Sequence, residues 1–434
     1  MPAVLERRAR LKRRLLSHTA AESGNRRTSI RRGNTADAVW LRKHCVMLRQ
    51  RYSTGKRSPL PDRTRLHFDD SIMAHRCFRK TITEEILMSK LNMSYLGVMA
   101  DMAGCPNRCR HCWLGAHKNG HMSIEDFRDI AAAFRGWRDE SGRGIDELSF
   151  LSWWREPDFR DDYRELWRLE QELSSPGRAE RFELLSTWRL ARDENYAAWA
   201  AALGPKACQI TFFGMEEDTD WGMRRKGAFR DQLTATERCY AVGIVPRWQL
   251  FLTKRCLDEL NIFLQLIREY SITQFFIGGL SPEGCGYELE NERPELADIE
   301  KIPPELIALS RDGIAMLGQT EESLLSELYR DSSPPSIRSS VPCVAVDADF
   351  DVYPNIAEPA PWWRLGNLRA DGIDAVMNAY RNETAPGMKM NRTVPVSELA
   401  QKYGSPKSRK LYDKSDLIRR FMHQWGRDSL KGVI

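Results

Sequence analysis

Three cysteines with the spacing C-x3-C-x2-C are Cys105, Cys109 and Cys112. Three thiolates in one loop can bind three irons of a [4Fe–4S] cluster, which leaves the fourth iron open to another ligand. A zinc ion with His111, His117 or His121 as its fourth ligand, or three unrelated thiols, are the alternatives. Zinc sites more often show two C-x2-C pairs a dozen or more residues apart, and no second pair follows here. The spacing therefore favours an iron–sulfur cluster.

The cysteine loop follows the first of six short apolar runs, which alternate with amphipathic, helix-like segments. The first helix is predicted to begin at the N-cap Ser123, with Asp126 at the capping-box position. Repeated strand–helix units predict a parallel sheet, and six of them predict an α/β fold with an open, partial (β/α)6 TIM-like barrel. The predicted strands are Met93–Met99, Leu148–Leu151, Phe182–Leu185, Cys208–Phe213, Ile244–Leu252 and Ile272–Ile277.

A C-x3-C-x2-C loop after the first strand of a six-unit barrel resembles the radical S-adenosylmethionine (SAM) superfamily. The resemblance covers roughly residues 93–385. It implies one [4Fe–4S] cluster whose open iron binds the amino and carboxylate groups of SAM. Reductive cleavage of SAM then releases a 5′-deoxyadenosyl radical, which takes a hydrogen atom from the substrate. It also implies an electron donor such as flavodoxin or ferredoxin.

A second match lies at the end of the second predicted strand, where the superfamily carries Gly-Gly-Glu-Pro. Here Glu156 and Pro157 are retained, but Trp154 and Arg155 stand in place of the two glycines. The resemblance assigns Glu156 to the amino group of SAM, through a charge-assisted hydrogen bond. The loss of both glycines predicts a reshaped floor of the SAM pocket.

The resemblance also assigns cofactor-binding roles at the ends of later strands. Thr187 is retained from the third-strand motif, and Thr211 and Arg224 are expected to hold the SAM ribose and carboxylate. Arg247 is a polar residue within an apolar strand, and its alternative role is a salt-bridged barrel residue. His111, inside the cysteine loop, completes the predicted cofactor-binding set.

The C-terminal region resembles the SPASM/twitch extension that follows many of these barrels. The matching segments are 352–355 and 365–368. Asn355 occupies a position that is normally cysteine, and Cys343 is the only cysteine near it in sequence. Auxiliary clusters need several thiolates together, so we expect no second cluster and interpret the module as a lid on the open barrel.

Cys285 indicates a reaction type, because it lies just beyond the sixth predicted strand, on the face where substrate is expected. A thiol there can return a hydrogen atom to a substrate radical from the opposite face, which inverts a carbon centre. Some radical SAM epimerases use a cysteine in this way, and Cys285 is the predicted catalytic residue. The alternative is a loop cysteine without a role.

Tryptophans and acidic residues near the predicted pocket suggest a polar or cationic substrate such as an aminosugar, nucleoside or aminoglycoside. Epimerisation or dehydrogenation in natural-product biosynthesis is the expected activity. A peptide-modifying maturase with a leader-peptide partner is the alternative within the superfamily, and a nucleic-acid-binding protein is the alternative outside it. The rim residues are Trp153, Trp154, Trp188, Trp248, Trp362, Trp363, Glu216, Glu217 and Asp220.

Charge is distributed unevenly along the 434 residues. Residues 1–65 hold 18 basic and 4 acidic residues, and residues 391–434 hold 10 and 4, so both ends are basic. The middle, with 38 basic and 52 acidic residues, carries a net charge of −14. An acidic central region favours a polar small molecule over nucleic acid as partner. The Arg-rich start is interpreted as disordered or misassigned, as a polyanion-binding arm, or as a transit peptide.

These patterns divide the chain into five parts. No apolar run is long enough to span a membrane and no signal peptide is evident, so we expect a cytoplasmic protein without a membrane partner. The predicted parts are an Arg-rich extension (1–70), the radical SAM partial barrel (90–300), a helix and linker (301–340), the SPASM/twitch-like module (341–390) and a basic tail (391–434).

Overall fold

The computed structural model describes residues 93–116, 118–120, 122–179, 184–310, 319–339 and 341–432. The Arg-rich extension predicted for residues 1–70 lies outside these ranges, as do the alternative zinc ligands His117 and His121. The site is therefore built from residues that follow position 92.

Within these ranges eight strands form two sheets. One sheet has the order β2-β1-β6-β7-β8 and the other has the order β3-β4-β5. The strands are β1 (Tyr95–Ala100), β2 (Glu147–Leu151), β3 (Ala207–Phe212), β4 (Val245–Phe251), β5 (Gln274–Gly278), β6 (Cys343–Val346), β7 (Asp351–Pro354) and β8 (Gly366–Asn367).

Helices alternate with the first five strands and dominate the C-terminal part. The α-helices are α1 (Ile124–Gly136), α2 (Tyr163–Leu173), α3 (Thr187–Arg192), α4 (Glu194–Ala202), α5 (Glu216–Gly222), α6 (Ala228–Ala241), α7 (Leu260–Glu269), α8 (Pro304–Leu309), α9 (Glu321–Leu328), α10 (Gly372–Arg381), α11 (Pro386–Thr393), α12 (Val396–Tyr403) and α13 (Lys414–Leu430). The 3₁₀ helices are Lys254–Glu259, Gly284–Asn291, Leu296–Lys301 and Pro361–Trp363.

The predicted α/β architecture is confirmed. β1 pairs with β2 in parallel, and β3, β4 and β5 pair in parallel with one another. Five of the six predicted strands are present, while the predicted third strand overlaps residues 180–183, outside the described ranges. The predicted capping box at the start of α1 is also confirmed, since Ser123 and Asp126 bond reciprocally.

The C-terminal module differs from the predicted lid, because its first strand enters the main sheet. β6 pairs in parallel with β1, on the edge of β1 opposite to β2. Gly97 faces Cys343 in this register, and a side-chain carbon at position 97 would lie 3.0 Å from the Cys343 sulfur. The correction has a physical reason, since a strand's sequence does not show which sheet edge it will fill.

The C-terminal segment is a packed part of the molecule, whereas the sequence predicts only a basic tail with one helix near 415–425. Leu417, Phe421 and Met422 on α13 are buried. A side-chain carbon at Gly426 would collide with the ring of Trp362, so the helix backbone lies directly against that tryptophan. Among the helices described, none has the length and apolar character needed to cross a membrane.

Candidate functional site

The three motif cysteines lie in the loop that follows β1, at the carboxyl end of the parallel strands. Their thiols are free. Burial raises the pKa of Cys109, and repulsion from Cys105 and Cys112 raises it further. Burial raises the pKa of Cys112 to about 11. The three sulfurs are therefore close enough to repel one another as thiolates, which is the arrangement that bound cations would stabilise.

Backbone hydrogen bonds fix the cysteine loop at both ends. The amide of Asn119 brackets Cys105: the Cys105 N–H donates to Oδ1 at 3.0 Å, and Nδ2 donates to the Cys105 carbonyl at 3.1 Å. Further along, the Arg110 N–H donates to the carbonyl of Gly222 at 2.7 Å, where α5 ends. Protein groups on both sides thus anchor the loop.

A buried ion pair lies beside the loop, where β1 and β2 end. Asp101 Oδ2 accepts from Arg155 Nε at 2.8 Å and lies 2.6 Å from Arg155 Nη2. Both side chains are almost fully buried, and the other Asp101 oxygen has no hydrogen-bond donor among the residues described. Burial raises the pKa values of Cys105 and Cys112, and the positive charge of Arg155 opposes part of that rise. Arg155, which replaces a glycine of the superfamily motif, therefore offsets part of the effect of burial on these two thiols.

Glu156 is a buried carboxylate next to the cysteine loop. Its N–H donates to the carbonyl of Gly104 at 3.1 Å, and its side chain accepts from the Ser186 hydroxyl at 2.8 Å. Burial raises the pKa of Glu156 to about 7, although the Ser186 hydrogen bond lowers it. Within the part of the chain that the structure describes, no lysine or arginine forms an ion pair with it. A ligand ammonium group would supply the missing positive charge.

Arg225 is the arginine that the structure brings towards Glu156, and the sequence analysis missed it. Its Nε donates to Asn107 Oδ1 in the cysteine loop at 2.6 Å, and its charge lowers the pKa of Glu156. The predicted Arg224 instead pairs with Glu288. Arg224 has a left-handed backbone conformation, with a φ of 49°. The side chains of Arg224 and Arg225 therefore point in different directions.

His111 lies between two aromatic rings inside the cysteine loop. Its ring centroid is 5.0 Å from that of Phe213 and 4.0 Å from that of Phe251. Burial lowers the pKa of His111 to about 3, so the imidazole is neutral. Its Nδ1 is buried without a hydrogen-bond partner among the residues described. A neutral ring with an open nitrogen beside the cysteines is compatible with the predicted cofactor contact.

The other predicted cofactor-binding residues occupy different levels of the open barrel. Thr187 is buried at the first position of α3, directly after Ser186. The Thr211 hydroxyl donates to Gln249 Oε1 at 3.4 Å, and Thr211 is the penultimate residue of β3. Arg247 lies near the amino end of β4 and donates to Gln274 Oε1 at 3.0 Å, away from the cysteine loop. Of these three residues, Thr187 and Thr211 are therefore at the level of the carboxyl ends of the strands, and Arg247 is not.

Cys285 is brought directly against the cysteine loop. Its N–H donates to the carbonyl of Cys112 at 3.0 Å. Burial raises the pKa of the Cys285 thiol, so its sulfur keeps its hydrogen at neutral pH. Gly284 has a φ of +55°, and a side-chain carbon there would lie 2.8 Å from the Cys112 carbonyl oxygen. The turn around Cys285 is therefore packed against the backbone of the cysteine loop.

The predicted aromatic rim is only partly correct. Trp248 is completely buried between β4 and the helices and donates to the Thr236 hydroxyl at 2.9 Å. Trp362 and Trp363 are also buried in the core. Asp220, predicted in an acidic rim, accepts from the Phe229 N–H at 2.9 Å and caps the start of α6. Large aromatic side chains on strands and under helices are used for packing here, which the sequence pattern does not reveal.

The donor set fits a [4Fe–4S] cluster. Three free thiols converge on one loop, with an arginine whose charge opposes the effect of burial on Cys105 and Cys112 and a buried carboxylate beside them. In the ranges described, no three His, Cys, Asp or Glu side chains are grouped closely enough to hold a single metal ion. Each thiolate of a [4Fe–4S] cluster binds a separate iron, so its sulfurs stand further apart than those around one ion.

Sequence comparison agrees with this geometry. Residues 99–253 match the radical SAM superfamily, a span that contains all three motif cysteines and Glu156. The chain carries a radical SAM domain. The cofactors of radical SAM enzymes are a [4Fe–4S] cluster and SAM, and their chemistry requires an electron donor. Cys105, Cys109 and Cys112 are the residues that would hold the cluster in this radical SAM domain.

Comparison with solved structures finds partial similarity to three proteins of low sequence identity. Native anSMEcpe with bound AdoMet has a TM-score of 0.47 and 14% identity, covering 78% of this chain and 99% of that one. Coproporphyrinogen III oxidase (HemN) from Escherichia coli has a TM-score of 0.40 and 11% identity, and the match covers 78% of this chain and 91% of that one. Streptococcus suis SuiB bound to S-adenosylmethionine has a TM-score of 0.38 and 15% identity, and the match covers 68% of this chain and 67% of that one. No curated protein sequence matches the chain.

Proposed function

We propose that this radical SAM enzyme abstracts a hydrogen atom from a polar small molecule of the aminosugar, nucleoside or aminoglycoside type, and that Cys285 returns one. The reaction is then an epimerisation. The observation that carries this proposal is the hydrogen bond from the Cys285 N–H to the Cys112 carbonyl, which places a protonated thiol beside the cluster-binding loop.

The proposed step at Cys285 balances in hydrogen atoms and electrons. When bound, the cluster and SAM supply the 5′-deoxyadenosyl radical that takes hydrogen from the substrate carbon. The S–H bond of Cys285 then breaks, and a new C–H bond forms on the opposite face of that carbon. The thiyl radical left on Cys285 takes up one electron, from a donor of the flavodoxin or ferredoxin type, and one proton from solvent.

A polar substrate is supported by the inner surface of the β3–β5 sheet. Trp248 and Leu250 of β4 pack against the helices, so the alternating residues Arg247 and Gln249 face the other side. Gln249 Oε1 accepts from the side chain of Gln209 at 2.9 Å. Towards the carboxyl ends of its strands this inner surface therefore presents amide groups, which suit hydroxyl and carbonyl groups of a ligand.

A first experiment needs no substrate. Reconstituted protein with SAM and dithionite in deuterated water should form 5′-deoxyadenosine that carries one deuterium, taken from the exchanged thiol of Cys285. Cys285→Ser should lose the label because an O–H bond is too strong to donate, while Cys109→Ala should form no 5′-deoxyadenosine. Zinc without iron in the purified protein, or label that persists in Cys285→Ser, would overturn the proposal.

A second experiment identifies the substrate class. Aminosugars, nucleosides, aminoglycosides and short peptides are offered in deuterated water, and products are analysed by mass spectrometry and NMR. We expect a product of unchanged composition, inverted at one carbon and carrying one solvent deuterium there. A two-hydrogen loss would indicate dehydrogenation, and conversion of peptides alone would replace this proposal with a peptide maturase.

A further inference from the structure

The turn that carries Cys285 is held from two sides. We call residues 283–287 the Cys285 turn. On its first side lies the cysteine loop, which accepts the Cys285 N–H and leaves no space for a side chain at Gly284. Its second side faces α13 and the segment between β7 and β8, which are remote in sequence from the radical SAM motifs.

Glu358 makes the main contact on the second side. Its Oε2 accepts the Gly284 N–H at 2.7 Å, and its Oε1 lies 2.6 Å from Nδ1 of His423 on α13. Glu358 and His423 are only 4% and 8% exposed. The carboxylate thus bridges the backbone of the Cys285 turn and the imidazole of the C-terminal helix.

Two further contacts tie the same turn to α13. Arg419 Nη1 lies 3.2 Å from the Glu283 carboxylate and donates to the Ile356 carbonyl at 3.0 Å. The Tyr287 ring is 4.6 Å from that of His423. Residues at the start and at the end of the turn are therefore both held by the helix.

Buried polar groups are costly to desolvate, so a buried hydrogen bond of this kind gives little net stability. Its effect is on geometry, since the Gly284 N–H has one acceptor and that acceptor is oriented by His423. A reacting hydrogen donor is sensitive to displacement, because a shift of about 1 Å can cost about 100-fold in rate. A bridge that fixes the turn against the cysteine loop would supply the required precision.

We propose that Glu358 and His423 are positioning residues, which hold the Cys285 turn against the cluster-binding loop through the Gly284 N–H. The inference rests on the proposed hydrogen-donor role of Cys285. It gives the C-terminal helix a part in the reaction, although none of its residues is assigned to the cofactors.

Hydrogen exchange of the full-length protein tests the positioning directly. In Glu358→Ala, the backbone amides of residues 283–288 should exchange at least tenfold faster, because the Gly284 N–H loses its acceptor. His423→Leu should give a smaller increase, and His423→Asn should restore protection, since its amide can donate from nearly the same place. Glu322→Gln, which alters an exposed carboxylate paired with Arg409, is the matched control and should change nothing there.

The label assay with SAM, dithionite and deuterated water gives the second readout. In Glu358→Ala and His423→Leu, the deuterium content of 5′-deoxyadenosine should fall at least fivefold, while iron content and the amount of 5′-deoxyadenosine stay within twofold of wild type. His423→Asn should recover the label. A purely structural role would instead lower iron content and accelerate exchange throughout the core.

The outcomes separate this inference from the proposed function. Wild-type label that does not depend on Cys285 would overturn the donor role, and exchange at 283–288 would then decide alone whether the bridge holds the turn. Unchanged exchange in Glu358→Ala, or full label in both Glu358→Ala and His423→Leu, would overturn the positioning role.

Discussion

Glu156 illustrates how one residue can be prepared for a charged ligand. The protein buries its carboxylate, provides the Ser186 hydroxyl and places the Arg225 charge at a distance. The effects of Ser186 and Arg225 on the carboxyl group are smaller than the effect of burial, so the pKa of Glu156 rises to about 7. A carboxylate in this state binds an ammonium group more strongly than an exposed one would, because little water competes for it.

We therefore predict that Glu156→Gln weakens SAM binding at least tenfold, since a hydrogen bond to a charged group contributes about 1.5–3 kcal/mol. Anaerobic equilibrium dialysis with labelled SAM measures the change. Ser186→Ala, which keeps the carboxylate, serves as the control and should have a smaller effect. Equal affinity in Glu156→Gln and wild type would remove Glu156 from the SAM site.

The pH dependence of SAM binding follows from the same carboxylate. Its raised pKa means that the ionised, ammonium-binding form increases between pH 6 and pH 7. SAM affinity of the wild type should rise about fivefold over this interval, from the fraction ionised at a pKa near 7. Glu156→Gln should show a flat profile. A wild-type affinity that falls as pH rises would contradict the assignment.

At the scale of single residues, the sequence identifies those that belong to local motifs. The cysteines and Glu156 are found because their spacing is recognisable within a few positions. Arg225 is missed because its direction depends on the left-handed backbone at Arg224, which no motif encodes. Glu358 and His423 contact each other from 65 positions apart, and only the folded chain brings them together.

At the scale of elements, the Cys285 turn is the segment that the sequence describes least well. Residues 281–305 are rich in glycine, proline and glutamate, a composition typical of loops. They contain the 3₁₀ helices Gly284–Asn291 and Leu296–Lys301. Short 3₁₀ turns leave little periodicity in a sequence, whereas the parallel strands and longer helices were predictable from their apolar patterns.

Gly284→Ala tests the close approach of this turn to the cysteine loop. A left-handed φ costs a non-glycine residue about 1–2 kcal/mol, and contact with the Trp113 and Cys112 carbonyls adds about 1–3 kcal/mol of overpacking. Gly243→Ala is the matched control, because its φ is +78° and nothing lies within 4 Å among the residues described. Urea denaturation should show the larger loss for Gly284→Ala, together with reduced iron content. Equal losses would show that the turn can move away.

At the scale of the whole molecule, the main unpredicted feature is the place of the C-terminal module in the first sheet. Apolar runs predict that β6 is a strand, but pairing depends on which edge is open after β1 and β2 have formed. β1 is flanked by β2 on one side and β6 on the other. The strand that carries the cysteine loop is therefore completed by residues about 250 positions later in the chain.

A chain that ends at residue 339 should consequently lose the cooperative fold. Without β6, the backbone groups of β1 lose their partners on one edge, and Val98 and Ala100 lose the neighbouring Val344 and Val346, both fully buried. Circular dichroism during urea denaturation should show no sharp transition, while a chain that ends at Leu430 should unfold as the full chain does. If the chain that ends at residue 339 unfolds cooperatively at the full-length midpoint, β6 is dispensable and the partial barrel is an independent folding unit. Loss of the transition would show that the cysteine loop depends on the C-terminal module for its supporting strand.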